Sequence, residues 1–130
     1  VMGGIFSEGI DLKEERLIGA VIVGTGLPQV NPEQEILKEY FDEREGNGFD
    51  YAYQYPGMNK VMQAAGRVIR TVNDKGVIAL LDDRFLRSEY VALFPREWGT
   101  YTVVDRGNVS LALEDFWGQF PEGKGFTAYP

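Results

Sequence analysis

The sequence predicts an α/β domain with a mostly parallel sheet. Two apolar runs rich in β-branched residues, residues 17–23 and Val77–Leu81, are typical of strands that are covered on both faces. Two helical patterns lie between these runs, one beginning near Asn31 and the other at Pro56. Because strand, helix and strand alternate along the chain, we expect parallel strands in one layer with helices packed against them.

The composition of the 130-residue chain is typical of a globular domain, with 44% apolar and 25% charged residues. The lack of cysteine and histidine excludes disulfides and removes the commonest general base and metal ligand, so no metal site is expected. The net charge of −7 argues against non-specific nucleic-acid binding by the whole surface but is compatible with a local basic groove. No apolar run is long enough to span a bilayer, and residues 1–6 lack the basic start of a signal peptide, so a cytoplasmic protein without a membrane partner is expected. The protein is also expected to be monomeric.

The first helix is predicted to begin with Asn31 as its N-cap and Pro32 at its first position. Gly46 and its neighbours are expected to end it. Its apolar residues recur at helical spacing, which predicts a buried face. That face consists of Ile36, Leu37, Tyr40 and Phe41.

An irregular aromatic segment is expected between the two helices. Its aromatic residues alternate with other residues, which predicts one buried set and one exposed set. An exposed tyrosine there would be able to stack on a nucleic-acid base. Packing within the fold is the favoured interpretation of these four residues, Phe49, Tyr51, Tyr53 and Tyr55.

The second helix is predicted to run through residues 63–70 (QAAGRVIR) and to divide into two faces at about 100° per residue. The apolar face consists of Met58, Val61, Ala65, Val68 and Val72. The polar face consists of Gln63, Gly66, Arg67 and Arg70. This polar face carries two arginines and no acid, and its glycine costs roughly 1 kcal/mol relative to alanine. The pattern indicates a surface that an anion approaches closely, and phosphate fits best because the planar guanidinium matches its oxygens.

Two other patterns resemble nucleotide-binding features only weakly. The glycine-rich residues 24–26 lack the lysine of a phosphate-binding loop, so a structural turn is favoured. Asp82 and Asp83 follow the second strand as a magnesium-holding acid would. Because no phosphate-binding loop precedes them, an ion pair with Arg84 or a neighbouring arginine is favoured.

The segment at residues 6–12 (FSEGIDL) follows what is expected to be the end of a strand at residues 1–2. Loops at the carboxyl ends of parallel strands are where α/β sheets bind ligands. Glu8 and Asp11 would accept hydrogen bonds from a ribose or orient an arginine, and Gly9 would let a backbone approach closely. A tight loop with capping acids is an equally open interpretation.

The pattern weakens after Pro95. Residues 1–98 are expected to form the main domain and residues 99–130 an extension packed on it. Within the extension, a strand is predicted at residues 100–104 and a helix capped by Asn108 that continues to Trp117. Residues 122–130 are expected to be loose.

Together, two motifs resemble those of superfamily 2 helicases of the DinG/XPD type. The FSEGIDL segment is similar to their motif V, and QAAGRVIR is similar to their motif VI, Gln-x-x-Gly-Arg-x-x-Arg. Their order and separation also match, as does the strand ending in Asp82. The resemblance implies the second of two RecA-like motor domains, a three-layer α/β fold whose first strands are truncated here.

The resemblance also implies roles for individual residues. In motif VI, Arg70 matches the arginine finger that reaches the γ-phosphate, Arg67 its companion on the phosphates, and Gln63 a residue lining the nucleotide cleft. Gly66 matches the glycine that lets this face close on the nucleotide. In motif V, Gly9 and Asp11 match positions at the nucleotide edge, and Ser7 and Glu8 match positions between nucleotide and DNA.

The implied function is that of a fragment of an ATP-dependent DNA helicase associated with DNA repair. Its implied partners are the first RecA-like domain of the parent chain and single-stranded DNA. ATP with Mg²⁺ would be held mainly by that first domain, and any iron–sulfur cluster would lie there too, since this segment has no cysteine. The segment alone would be inactive.

Two alternatives remain open. In the first, the parent is an ATP-dependent nucleic-acid clamp or nuclease-associated helicase-like module that does not unwind DNA. The simplest alternative is an α/β domain whose arginines bind acids of its own fold. The acids available for that are Glu8, Asp11, Asp82 and Asp83.

Overall fold

A two-stranded parallel sheet organises the part of the chain that the computed structural model describes, residues 18–120. Strand β1 (Gly19–Val23) pairs with β2 (Val77–Leu81), and the register joins Gly19 to Val77 and Val23 to Leu81. The helices between them provide the crossover that parallel strands require. The predicted α/β class with a parallel sheet is therefore confirmed. The chain divides into two compact units after Phe94.

Helix α1 (Pro32–Glu45) begins and ends as its sequence predicts. The Asn31 side-chain oxygen accepts a hydrogen bond from the Gln34 backbone N–H at 2.9 Å, which satisfies one of the free donors of the first turn. Gly46 follows the last turn with φ of 74°, a left-handed conformation that glycine adopts without strain.

The buried face predicted for α1 is wrong. None of its residues is buried, and Ile36 and Tyr40 are 67% and 47% exposed. Phe41 does pack, because its ring stacks on Tyr51 with centroids 4.3 Å apart, but Leu37 stays open to solvent. Helical periodicity identifies which face of a helix is apolar, but it does not say whether a partner covers that face. Within residues 18–120, nothing buries it.

A π-helical turn (Asp50–Gln54) replaces the irregular aromatic segment and continues directly into α2 (Tyr55–Ala65). Tyr53 is buried there, and its hydroxyl donates to Glu35 Oε1 at 2.5 Å. That hydrogen bond, with burial and the Glu35 charge, raises the pKa of Tyr53 to about 12. The packing interpretation of the aromatic segment is confirmed, although its backbone is a wide helical turn rather than an irregular one.

The core forms where α2 packs on the sheet. Ile22 of β1 is buried, and so are four residues of the predicted apolar face, Met58, Val61, Ala65 and Val68. The fifth, Val72, is 100% exposed, because α2 ends before reaching it.

The turn after β1 has a structural role, as favoured from the sequence. Gly26 has φ of 67°, and a Cβ on Gly57 would lie 2.6 Å from the Thr25 carbonyl oxygen. The two glycines therefore let the turn pass against the first turn of α2 at backbone contact distance.

Short helical turns follow β2. A 3₁₀ turn (Asp83–Leu86) leads into α3 (Ser88–Val91), and the buried rings of Phe85 and Tyr90 pack edge to face with centroids 6.3 Å apart. In the second unit, a 3₁₀ turn (Arg96–Trp98) precedes α4 (Val109–Gly118), so the predicted helix is confirmed. The predicted cap is wrong, because the Asn108 side chain makes no capping hydrogen bond to α4 and its Oδ1 accepts from the Asp105 backbone N–H at 2.7 Å.

The strand predicted at residues 100–104 is wrong, because no ladder partner pairs with these residues in the described part of the chain. The aromatic rings of α4 instead pack on one another, with Phe116 and Trp117 centroids 5.0 Å apart. None of the helices described between residues 18 and 120 has the length and apolar character needed to cross a membrane.

We expect Gly57→Ala to lower the free energy of unfolding by about 1–3 kcal/mol, because the added methyl group would force the turn and α2 apart. Urea denaturation measures this. Gly118→Ala is the control, since a Cβ there meets open space; it should change stability by at most about 1 kcal/mol and in the favourable direction. Equal stability of both variants would contradict the close contact.

Candidate functional site

The arginine motif begins on a helix and ends on a loop. The Gly66 N–H still donates to the Met62 carbonyl at 2.8 Å, but the Arg67 and Val68 N–H groups bond to Ala64 and Ala65 at 3.3 and 3.0 Å, three residues back. The chain then leaves helical geometry. The prediction of a helix that extends through Arg70 is therefore wrong, and the motif divides after Val68.

Two contacts explain why the helix ends there. Val68 is buried against Gly76, where a Cβ would collide with the Val68 side chain. Beyond it, the Asp74 carboxylate takes the backbone N–H groups of Arg70 and Thr71 at 2.8 and 2.7 Å. Aspartate ends helices in this way because it offers the backbone an alternative acceptor.

The anchor at Val68 also gives the motif its place in the fold. Gly76 lies directly before β2, and a Cβ on it would lie 3.0 Å from the Ile18 carbonyl, directly before β1. Because Val68 packs against Gly76, Arg67 lies beside the amino ends of both strands. The carboxyl ends, with Asp82, lie at the other edge of the sheet.

The four motif VI residues share one short segment. Gln63 is exposed on the last turn of α2, Gly66 is exposed at its end, Arg67 is half-buried in the following turn, and Arg70 is exposed where the loop begins. The predicted motif V residues lie outside the described residues, so their place beside these arginines stays a prediction. Those residues are Ser7, Glu8, Gly9 and Asp11.

Nothing in the local backbone requires glycine at position 66. Its φ is −64°, which any residue adopts, and the side of the residue away from the helix is open. The closest approach of an added Cβ would be 3.3 Å, to the Met62 carbonyl of the preceding turn. The described contacts therefore give no structural reason for a glycine at this position.

The two arginines have different surroundings. In residues 18–120, no hydrogen bond or ion pair engages the Arg67 side chain. Arg70 lies in a loop with Asp74, an acid that the sequence analysis did not count as a neighbour of the motif. The Arg70 and Thr71 backbone N–H groups lower the pKa of Asp74, and the Arg70 charge contributes in the same direction. The turn-forming residues that follow Thr71 are the sequence signal that could have identified Asp74 as a neighbour of Arg70.

Asp82 is bound by Arg84, as favoured from the sequence. Its two carboxylate oxygens accept from Arg84 Nε at 2.9 Å and Nη2 at 2.8 Å. These hydrogen bonds lower the pKa of Asp82 to about 2. Gly76 and Asp82 stand about 20 Å apart at 3.3 Å per strand residue. Asp82 is thus not the acid that neutralises Arg67.

The arrangement is suited to bind a multiply charged anion. Arg67 is half-buried and has no acid partner among the described residues, so its guanidinium keeps its hydrogen-bond donors for a ligand, and phosphate matches their planar geometry. Among the described residues, no group of three or more acids is close enough to hold a metal ion.

Comparison with known proteins identifies the family. The model of the helicase C-terminal domain matches residues 1–101. The chain belongs to the helicase C-terminal domain family. The match includes both motifs, so the resemblance to DinG-type helicases found in the sequence is confirmed.

Curated relatives of this helicase C-terminal domain support the same family assignment. It is 32% identical to a regulator of telomere elongation helicase 1 homolog of Caenorhabditis briggsae, over 89% of the chain and 13% of that protein. It is 35% identical to the ATP-dependent DNA helicase DinG of Photobacterium profundum, over 67% of the chain and 13% of that protein. It is 33% identical to the 3'-5' exonuclease DinG of Staphylococcus saprophyticus, over 75% of the chain and 11% of that protein.

The chain thus spans little more than a tenth of the length of these relatives, between 11% and 13%. In these relatives, the matched region is therefore one part of a much longer protein. The activity of the whole protein that contains this domain is proposed below.

We expect Asp82→Asn to lower the free energy of unfolding at neutral pH by about 0.5–1 kcal/mol, since it removes the charge that binds Arg84. A carboxyl group whose pKa falls from 3.8 to about 2 on folding stabilises the protein above pH 3.8, and that stability is lost as pH falls through 2. The variant should therefore match the wild type only below about pH 2. Denaturation at a series of pH values measures this.

The control for that experiment is Asp83→Asn. The Asp83 side chain is exposed and makes no hydrogen bond or ion pair within the described residues. It should leave both stability and its pH dependence unchanged. An Asp82→Asn variant as stable as Asp83→Asn at neutral pH would contradict the role of the Arg84 pair.

Proposed function

We propose that this domain supplies the arginine finger, and part of the single-stranded DNA surface, of an ATP-dependent DNA helicase. The observation that carries the proposal is the arginine segment at the amino edge of the sheet, where Arg67 has no protein partner in the described residues. Its support is the family match together with relatives described as ATP-dependent helicases.

The proposed chemistry is phosphoryl transfer from ATP to water, which requires positive charge where negative charge develops on the γ-phosphate. Arg70 provides that charge from this domain, and Arg67 and Gln63 hold the phosphates beside it. An arginine finger contributes 10³–10⁵ in rate, on the order of 4–7 kcal/mol. Because the finger comes from a second domain, separation of the domains withdraws it, and hydrolysis is thereby coupled to motion along DNA.

The remaining components of the proposal lie outside the described residues. The first RecA-like domain would hold ATP and Mg²⁺, and it would carry any iron–sulfur cluster. Gly9 and Asp11 would contact the nucleotide edge, and Ser7 and Glu8 the DNA strand. The parent would act as a cytoplasmic, monomeric DNA-repair enzyme, and this segment alone would hydrolyse no ATP.

A second function has a specific observation in its favour. A relative 33% identical to this chain is described as a 3'-5' exonuclease DinG. The domain would then belong to an ATP-dependent nucleic-acid clamp or nuclease-associated module that does not unwind DNA. A strand-displacement assay separates the two functions, because ATP turnover without unwinding would favour the clamp.

In the full-length protein, we expect Arg70→Ala to lower DNA-stimulated ATP turnover by about 10³-fold or more. Binding of a non-hydrolysable ATP analogue should stay within a few-fold of the wild type, since the finger acts on the transition state. Arg70→Lys should not restore turnover, because a point charge lacks the planar donors of guanidinium. Steady-state kinetics measures all three, and wild-type turnover in Arg70→Ala would refute the proposed role.

We expect Gly66→Ala to separate activity from stability. The backbone at residue 66 accepts any residue, so the free energy of unfolding should change by no more than about 1 kcal/mol. Turnover in the full-length protein should fall at least about tenfold, because a methyl group on this surface would hold the nucleotide away from the arginines. Unchanged turnover in a stable variant would show that no ligand closes on Gly66.

A further inference from the structure

The loop at residues 70–74 is closed by its own last residue. A single Asp74 oxygen, Oδ2, accepts hydrogen bonds from the Arg70 backbone N–H at 2.8 Å and the Thr71 N–H at 2.7 Å. The Asp74 N–H donates back to the Thr71 carbonyl at 3.1 Å. Thr71 Oγ1 also accepts from the Asn73 N–H, at 3.3 Å. Arg70 is thus the first residue of a small ring of hydrogen bonds.

This ring takes over where the helix stops. The last helix-like hydrogen bond ends at Val68, so no helical ladder fixes the backbone of Arg70. The N–H groups of Arg70 and Thr71 belong to the two peptide planes on either side of the Arg70 Cα. Because both bond to the same Asp74 oxygen, they restrain the φ and ψ of Arg70 and thereby the direction of its Cα–Cβ bond. After the helix has ended, Asp74 therefore provides the backbone hydrogen bonds that hold the exposed Arg70.

We propose that Asp74 is the positioning residue for the arginine finger, holding the Arg70 backbone so that its side chain leaves the loop in one direction. This inference rests on the proposed function and deepens it. Asp74 need not touch the nucleotide, since it acts through Arg70. The two backbone N–H donors also keep the carboxylate ionised, as the lowered pKa of Asp74 indicates.

The size of the effect follows from how sharply catalysis depends on placement. A displacement of about 1 Å in a reacting group costs about 10²-fold in rate. A finger on a loop without the Asp74 hydrogen bonds still carries its charge and still reaches the phosphates, but it spends less time in the productive position. The loss should therefore appear in kcat and not in ATP binding.

The test compares variants of the full-length protein in DNA-stimulated ATP turnover. Asp74→Ala should lower kcat about 10- to 100-fold, with KM for ATP and binding of a non-hydrolysable ATP analogue within about twofold. Asp74→Asn should recover most of kcat, because an amide oxygen accepts the same two N–H groups. Asp83→Ala removes an exposed carboxylate beyond β2 and should have no effect.

A double-mutant cycle identifies the route of the effect. If Asp74 works through Arg70, Asp74→Ala should cause no further loss of kcat in an Arg70→Ala background. An equal loss in both backgrounds would overturn the proposal. The proposal would also be overturned if both Asp74→Ala and Asp74→Asn lost enough thermal stability to account for their lost activity. That outcome would show that Asp74 has a purely structural role.

The outcomes also separate this inference from the proposed function. Wild-type kcat in Asp74→Ala, alongside collapsed turnover in Arg70→Ala, would overturn the positioning role and leave the arginine finger standing. Wild-type turnover in Arg70→Ala would remove the finger itself, and the positioning role would go with it.

Discussion

Burial of Val68 against Gly76 is the contact on which the rest of this domain depends. It joins the end of α2 to the residue that precedes β2. Gly76 also lies against the carbonyl of Ile18, which precedes β1, so the same contact reaches the start of both strands. Because Gly76 has no side chain, Val68 packs directly against the residue that precedes β2. This contact places the arginine segment at the amino edge of the sheet, and Gly76 stands about 20 Å from Asp82 at the opposite edge.

The domain holds its two motif arginines by different means. Arg67 lies on the continuation of a helix whose other face forms the core, so its backbone is fixed by packing. Arg70 lies on a loop fixed by the hydrogen bonds of Asp74. Packing in the core thus holds Arg67, whereas two hydrogen bonds to one carboxylate oxygen hold Arg70. Under the proposed function, the arginine finger takes its direction from Asp74 and not from the core.

Sequence patterns identified the elements of this fold better than their ends and their surroundings. Both strands and the capped start of α1 follow from β-branched runs and from Asn31, which are local signals. The end of α2 does not, because it depends on Asp74, whose carboxylate returns from the next turn. The open face of α1 is a third case: the apolar pattern of Ile36 and its neighbours is real, but a sequence window contains no information on what covers it.

The π-helical turn (Asp50–Gln54) fixes a rotational relation between two parts of the domain. Its wide turn accommodates one more residue than an α-helical turn of the same rise. Tyr53, bound to Glu35, ties this turn to α1, and α2 begins at the next residue but one. If the same sequence were wound as a regular α-helix, each residue of α2 would lie about 100° further around the helix axis relative to Tyr53. The π-helical turn therefore determines which residues of α2 face the core and which face solvent.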